Sequence, residues 1–316
     1  MPCYRLIMTF ALFVLTMCAG LGQAAPFAYV PNEKSGTISI IDTATDTVAG
    51  EMPAGKRPRG MAVSPDGKFI YVSDQPTNGV NVIDVAARAI VANINLGESP
   101  EGVGISPDGR WVAVAVEESN SVAIIDTATR KVVVNLKVTG KNPEHAVFSP
   151  DGRWLYVSAE EGDVVDVIDA RAQKQVTSIK VGIRPRGIGF LPDGSRAYVA
   201  GEEANTVYSI DTAKQTVLRA IKAGVRANGI AVRPDGKRVF VSNGEGTVMA
   251  IDTASDTVIA TIRVGLRPWN MAITPDGKKL YVANGRSNSV SVIDTESNEK
   301  IRDVAVGELP WGVVIR

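Results

Sequence analysis

Met61-Ala62-Val63-Ser64-Pro65-Asp66-Gly67-Lys68-Phe69-Ile70-Tyr71-Val72-Ser73-Asp74 is the stretch whose reading decides the fold. Its centre, Ser64 to Gly67, is a turn: Pro presets φ, Asp can bond its own backbone, and Gly takes the left-handed position. Gly60 to Ser64 on one side and Phe69 to Val72 on the other read as strands, the second rich in β-branched and aromatic residues. A third strand is expected over Val80 to Ile83 and a fourth from about Ile90 to Leu96. No stretch beyond the N-terminal leader sustains a helical period.

The same unit recurs along the chain. Pro-Asp-Gly begins at Pro65, Pro107, Pro150, Pro192, Pro234 and Pro275, at spacings of 41 to 43 residues. An Ile-Asp pair ends at Asp42, Asp84, Asp126, Asp169, Asp211, Asp252 and Asp294, and Gly55, Gly97, Gly140, Gly182, Gly224, Gly265 and Gly307 keep the same register. The position of Val80 is Val or Ile in all seven copies, while its neighbour varies from Ser39 and Asn81 to Tyr208 and Met249. Self-similarity at this period signals a propeller or solenoid. Strands apolar on both faces need a neighbour on each side, which a closed ring supplies.

The expected fold is therefore all-β: a seven-bladed β-propeller with four-stranded antiparallel blades. The chain opens on a second strand, Phe27 to Pro31, and ends on Gly312-Val313-Val314-Ile315-Arg316, which aligns with first strands. This C-terminal segment is expected to become the innermost strand of the N-terminal blade and to close the ring.

Met1 to Arg5 carries one positive charge, Leu6 to Ala19 is apolar, and Gly22 to Ala25 is small-residue rich, the three regions of a secretory signal. Residues 1–24 are read as a signal peptide removed after Ala24, with lipoprotein processing at Cys18 as the alternative. Residues 25–316 are read as one propeller domain, about 292 residues or close to seven units of about 42. The expected location is the periplasm, with no membrane span in the mature chain. Cys3 and Cys18 both lie in the leader, so a Cys nucleophile, Cys metal site or c-type haem attachment is not expected. Thirty-four basic and 34 acidic residues balance, which leaves no excess positive charge for a nucleic acid.

Tyr29-Val30-Pro31-Asn32, Tyr71-Val72-Ser73-Asp74, Phe240-Val241-Ser242-Asn243 and Tyr281-Val282-Ala283-Asn284 resemble the signature of the YVTN-repeat β-propeller family. With the Ser/Thr-Pro-Asp-Gly and Val-Ile-Asp-Thr motifs, the resemblance covers residues 27–316. The length, leader and regular repeats are most similar to the exported bacterial branch associated with PQQ-dependent alcohol catabolism. That resemblance implies a binding or accessory protein whose partner is a quinoprotein dehydrogenase or a cytochrome in the periplasm. A monomer is expected.

Repeated aspartates such as Asp66, Asp108 and Asp151 are read as turn caps. Function is sought where the copies differ, at the channel mouth formed by the loops entering each first strand and those after each second strand. At the position of Arg59 the blades carry Arg59, Glu101, Glu144, Arg186, Asn228, Trp269 and Trp311. The Gly that follows is replaced only by His145 and Asn270, three blades apart and so across the channel. In the other set of loops, Glu117-Glu118, Glu160-Glu161 and Glu202-Glu203 are read as standing in place of the signature Asn, which Asn32, Asn243 and Asn284 keep. The expected ligand or partner site comprises Arg59, Glu101, Glu144, His145, Arg184, Arg186, Asn228, Trp269, Asn270 and Trp311, with the tryptophans as apolar platforms. The bland alternative is a solvated rim of ion pairs contributing about 0 to 1 kcal/mol each.

No catalytic residue, metal or cofactor is assigned, Glu144 and His145 being the only weak metal candidates. One histidine is too few for a haem-d1 propeller, the tryptophan-docking repeats of quinoprotein dehydrogenases and the motifs of WD-repeat propellers are missing, and no nucleophile elbow or phosphate loop occurs. Two alternatives to the accessory role are a metal-assisted lactonase or hydrolase using Glu101, Glu144 and His145, and DNA binding through Arg57, Arg59, Arg184 and Arg186.

Overall fold

Alternating apolar positions and turn residues at a 42-residue period produce seven antiparallel four-stranded sheets in the computed structural model, which describes residues 26–316. The signal peptide predicted over residues 1–24, its cleavage after Ala24 and the Cys18 alternative lie outside the described residues. Blade 2 shows the pattern: Pro58–Val63, Phe69–Asp74, Gly79–Asp84 and Ala89–Asn95 follow one another from the channel outward. The second and third strands are buried nearly throughout, whereas the fourth exposes most of its residues. A short 3-10 turn, Gln75–Thr77, interrupts the all-β pattern. Among the described residues no helix is long and apolar enough to cross a membrane.

The Ser-Pro-Asp-Gly unit does what its chemistry predicts. Ser64 Oγ donates to Asp66 Oδ1 at 2.6 Å, the amides of Lys68 and Phe69 donate to Asp66 Oδ1 and Ser64 Oγ, and Gly67 sits at φ 72°. In the Ile-Asp pairs the carboxylate caps the next turn, as where Asp126 Oδ1 accepts from the amide of Thr129. These aspartates are consumed locally. Between blades, a second-strand tyrosine reaches the outer turn of the next blade: Tyr198 donates to Asp256 at 2.8 Å, Tyr156 to Gln215 at 2.6 Å, and Tyr281 to Asp46.

The ring closes as the alignment of the chain ends requires. Val314–Ile315 pairs antiparallel with Ala28 and Tyr29 in the sheet completed by Thr37–Asp42 and Thr47–Pro53. The amides and carbonyls of Phe27 and Arg316 exchange bonds of 2.9 and 3.0 Å, and Trp311 N–H donates to Pro31. A cavity of about 980 Å³ on the face of the Pro-Asp-Gly turns lies at this seam, bordered by Phe27, Pro65, Pro275 and Arg316.

Candidate functional site: the channel mouth

Six of the seven innermost strands begin about two residues earlier than expected, and the C-terminal one, Val314–Ile315, begins two residues later. Pro58, Pro100, Pro143, Pro185 and Pro268 already pair with the second strand, and a bulge follows. Six of the seven variable positions therefore belong to strands and not to free loops, while Trp311 lies in the segment between the bridging Pro310 and the strand Val314–Ile315. At the bulge the strand releases its partner and aims one side chain into the channel. Close approach of the strands explains the Gly that follows: a Cβ at Gly60 would lie 2.3 Å from the carbonyl oxygen of Glu101, and one at Gly102 2.5 Å from that of Glu144. His145 and Asn270 break this rule and send their side chains across the axis. Asn270 Nδ2 and His145 Nε2 meet at 3.3 Å, and the His145 ring stacks on Trp311 at 5.7 Å. These three groups floor the mouth.

Above the floor is a cavity of about 210 Å³ lined by Arg59, Glu101, Glu144, Arg184, Arg186, Asn228, Trp269, Asn270 and Trp311. Nine of the ten predicted residues thus converge. The tenth, His145, borders a smaller cavity of about 90 Å³ together with Met61, Val103 and Val314.

The charges are organised around arginines. Arg186 contacts Glu144, Glu160 at 2.5 Å and Glu202 at 2.9 Å; Arg59 bridges Glu33 at 3.1 Å and Glu101 at 2.5 Å. Arg184 takes Glu160 at 2.7 Å and Arg267 takes Glu202 at 2.7 Å. A solvated rim is the wrong description, because Glu101, Glu144, Glu160 and Glu202 are each no more than 5% exposed. Surface ion-pair energies do not apply to such groups; breaking a buried pair is far more costly than breaking an exposed one.

Burial and the like charges of Glu144 and Glu117 outweigh Arg59 and hold the Glu101 carboxyl well above its usual range. Burial and Glu144 likewise raise Glu160 against the pull of Arg186 and Arg184. Glu202 goes the other way: burial opposes ionisation, but Arg186 and Arg267 overcome it. The Arg186 guanidinium is held protonated because Glu144, Glu160 and Glu202 outweigh its desolvation. Burial and nearby Arg186 push His145 down to about 3, so its imidazole is neutral.

Two sequence readings of the mouth need correction. The glutamates do not replace the signature Asn. Structurally, Asn32, Asp74, Val116, Ala159, Gly201, Asn243 and Asn284 end the second strands, and Glu33, Gln75, Glu117, Glu160, Glu202, Gly244 and Gly285 follow them. Asn32, Asn243 and Asn284 are fully buried, where Asn243 and Asn284 accept from the amides of Gly224 and Gly265, so these three side chains do not face the opening. Shifting the register by one position would have revealed Glu33, which sequence reasoning missed along with Arg267.

The shift also explains the two glycines. A Cβ at Gly244 would lie 2.8 Å from Arg267 Nη1, and one at Gly285 2.6 Å from Trp269 Cε3. The blades that give up Glu there make room for Arg267 and Trp269. Gly285→Ala is expected to displace the Trp269 indole, seen as a shift in tryptophan emission with the melting temperature lowered by only a few degrees; unchanged emission would show that the ring does not depend on this gap.

Models of the YNCE-like beta-propeller family match residues 18–109 and 104–315. The chain belongs to this family. No curated protein matches it. Among solved structures, a hydrazine synthase chain from Kuenenia stuttgartiensis is 26% identical, with TM-score 0.78 over 85% of this chain and 92% of that one. A functionally unknown protein from Desulfotomaculum acetoxidans is 20% identical, with TM-score 0.81 over 92% and 98% of the two chains. The dihydro-heme d1 dehydrogenase NirN, in complex with DHE, is 17% identical, with TM-score 0.68 over 92% and 75%. The last two likenesses concern the fold alone, as expected when function resides in residues grafted onto a common frame.

Proposed function

We propose that this YNCE-like propeller is a periplasmic binding or accessory module associated with PQQ-dependent alcohol oxidation. It recognises a quinoprotein dehydrogenase, a cytochrome or a small ligand at the channel mouth. The observation that carries the reading is the convergence of Arg59, Glu101, Arg186, Asn228, Trp269 and Trp311, copies of one repeat position that differ in charge and shape from blade to blade, on one cavity above a closed floor. Residues that serve the ring are nearly invariant from blade to blade, whereas these side chains follow no repeat rule, which supports a role outside folding. The exported, PQQ-linked setting rests on the resemblance of the repeats and on the leader.

The geometry favours neither alternative. Glu144 is engaged by Arg186, His145 is neutral and bonded to Asn270, and among the described residues no three His, Cys, Asp or Glu side chains are grouped to hold a metal. Arg57, Arg59, Arg184 and Arg186 are each paired with carboxylate, which removes the clustered free cation that phosphate binding uses.

A pull-down from alcohol-grown periplasm is expected to retain a dehydrogenase or cytochrome on the wild type and to lose it on Trp269→Ala/Trp311→Ala. Identical partner sets for the two proteins would count against this face.

A further inference from the structure

Glu101 is 1% exposed, and one of its carboxylate oxygens is committed: Oε1 accepts from Arg59 Nη1 at 2.5 Å and from Gln75 Nε2. The other oxygen, Oε2, is buried without a partner among the described residues. A carboxyl oxygen buried without a partner carries a desolvation penalty that a donor would remove. Glu101 borders the mouth cavity, and the torsion that orients a carboxylate is soft, so a small rotation presents this oxygen to a ligand.

The charge balance points the same way. Five carboxylates, those of Glu33, Glu101, Glu117, Glu144 and Glu160, line the cavity against the four guanidinium groups of Arg59, Arg184, Arg186 and Arg267. The deficit is felt at Glu101, which has one arginine and two repelling neighbours, Glu117 and Glu144. The wall also includes the indoles of Trp269 and Trp311, whose faces attract cations and cover alkyl groups. A volume of about 210 Å³ equals that of about seven liquid waters, which suits a ligand of a few heavy atoms.

We propose that the channel mouth binds a small alkylammonium ion, its charged head on Glu101 and its apolar tail against Trp269 and Trp311. This rests on the mouth being a recognition site and names the chemistry recognised there. A bound ammonium favours the Glu101 anion, which burial, Glu117 and Glu144 disfavour in the free protein despite Arg59. Binding therefore releases a proton, and affinity rises with pH while the amine stays protonated.

Isothermal titration calorimetry of the purified protein with butylammonium chloride, sodium butyrate and 1-butanol tests this, the three probes being nearly isosteric. Butylammonium is expected to bind with one saturable site, at least tenfold more tightly than either other probe, and to bind more tightly at pH 8 than at pH 6. Glu101→Gln should weaken it at least tenfold, while Glu118→Gln, a charge change outside the cavity lining, should not. Equal binding of butyrate or butanol, undiminished binding to Glu101→Gln, or no heat with any probe would each overturn the proposal. The wild-type probe series decides the matter even where Glu101→Gln fails to fold. If butylammonium does not bind but Trp269→Ala/Trp311→Ala still loses its partner, the cation inference falls and the partner face stands.

Discussion

Deleting residues 312–316 is expected to lower the melting temperature by more than about 10 °C and to broaden the transition. The deletion removes the innermost strand of blade 1, including buried Val313 and the half-buried Val314 and Ile315. Val313 and Ile315 pack in the cluster of Ala28, Val30, Tyr281 and Val292, which joins blades 7 and 1, while Val314 packs with Met61 and Ile70 of blade 2. Each such side chain contributes roughly 1.5 to 3 kcal/mol when fully buried, and the pairing of Phe27 with Arg316 and of Tyr29 with Val314 goes as well. The total approaches the roughly 5 to 15 kcal/mol that separates folded from unfolded domains. Blade 1 would also expose the strand Phe27–Asn32 as an open edge, a template for aggregation. Circular dichroism melts with size-exclusion chromatography check this; a truncated chain that melts at the same temperature with the same cooperativity would mean that the ring does not depend on its C-terminal strand.

Arg186→Ala is expected to cost about 3 to 5 kcal/mol at pH 7.5, the penalty for leaving buried charge unpaired. The Arg186 side chain is 16% exposed, and its guanidinium serves Glu144, Glu160 and Glu202 together. The loss should depend on pH in a definite direction. Without Arg186, Glu160 keeps its burial and its like-charged neighbour Glu144 but loses one of its two arginines, so its folded pKa, already raised, moves further above the unfolded one. The penalty is then full above that folded value and fades as pH falls to the unfolded one. In the wild type, Glu202 has the opposite sign: its lowered pKa stabilises the fold above the unfolded value, and that contribution disappears as pH falls. The gap between variant and wild type should therefore narrow from pH 7.5 to pH 5. Arg186→Lys keeps the charge but loses the planar fork that reaches three partners, and should lie between the two. Denaturant unfolding at both pH values reads the effect. Equal stability of Arg186→Ala and wild type at pH 7.5 would show that the network contributes nothing to folding.

Much of the mouth was legible because a repeat turns sequence alignment into geometry. Seven copies of one unit around an axis place equivalent residues at equivalent heights, so His145 and Asn270, three blades apart, had to face each other. Their direct contact was not legible, since it depends on the channel diameter and on Trp311 leaning over to His145. The off-by-one reading of Glu117, Glu160 and Glu202 came from aligning polar character instead of strand register. In a strand a shift of one residue reverses the face, which is why Asn284 is buried and Glu160 lines the cavity.

The amino-acid sequence by itself determined the period, the blade number, the turns and the closure of the ring. Those depend on local backbone preferences and on a binary apolar pattern, which repetition states seven times. Only the tertiary structure decided that Glu101, Glu144, Glu160 and Glu202 are buried, which arginine each one meets, and that Glu101 keeps an oxygen without a partner. Charge letters look the same on a rim and in a core. What distinguishes them is the desolvation imposed by side chains from all seven blades, a property of the closed ring that no single repeat contains.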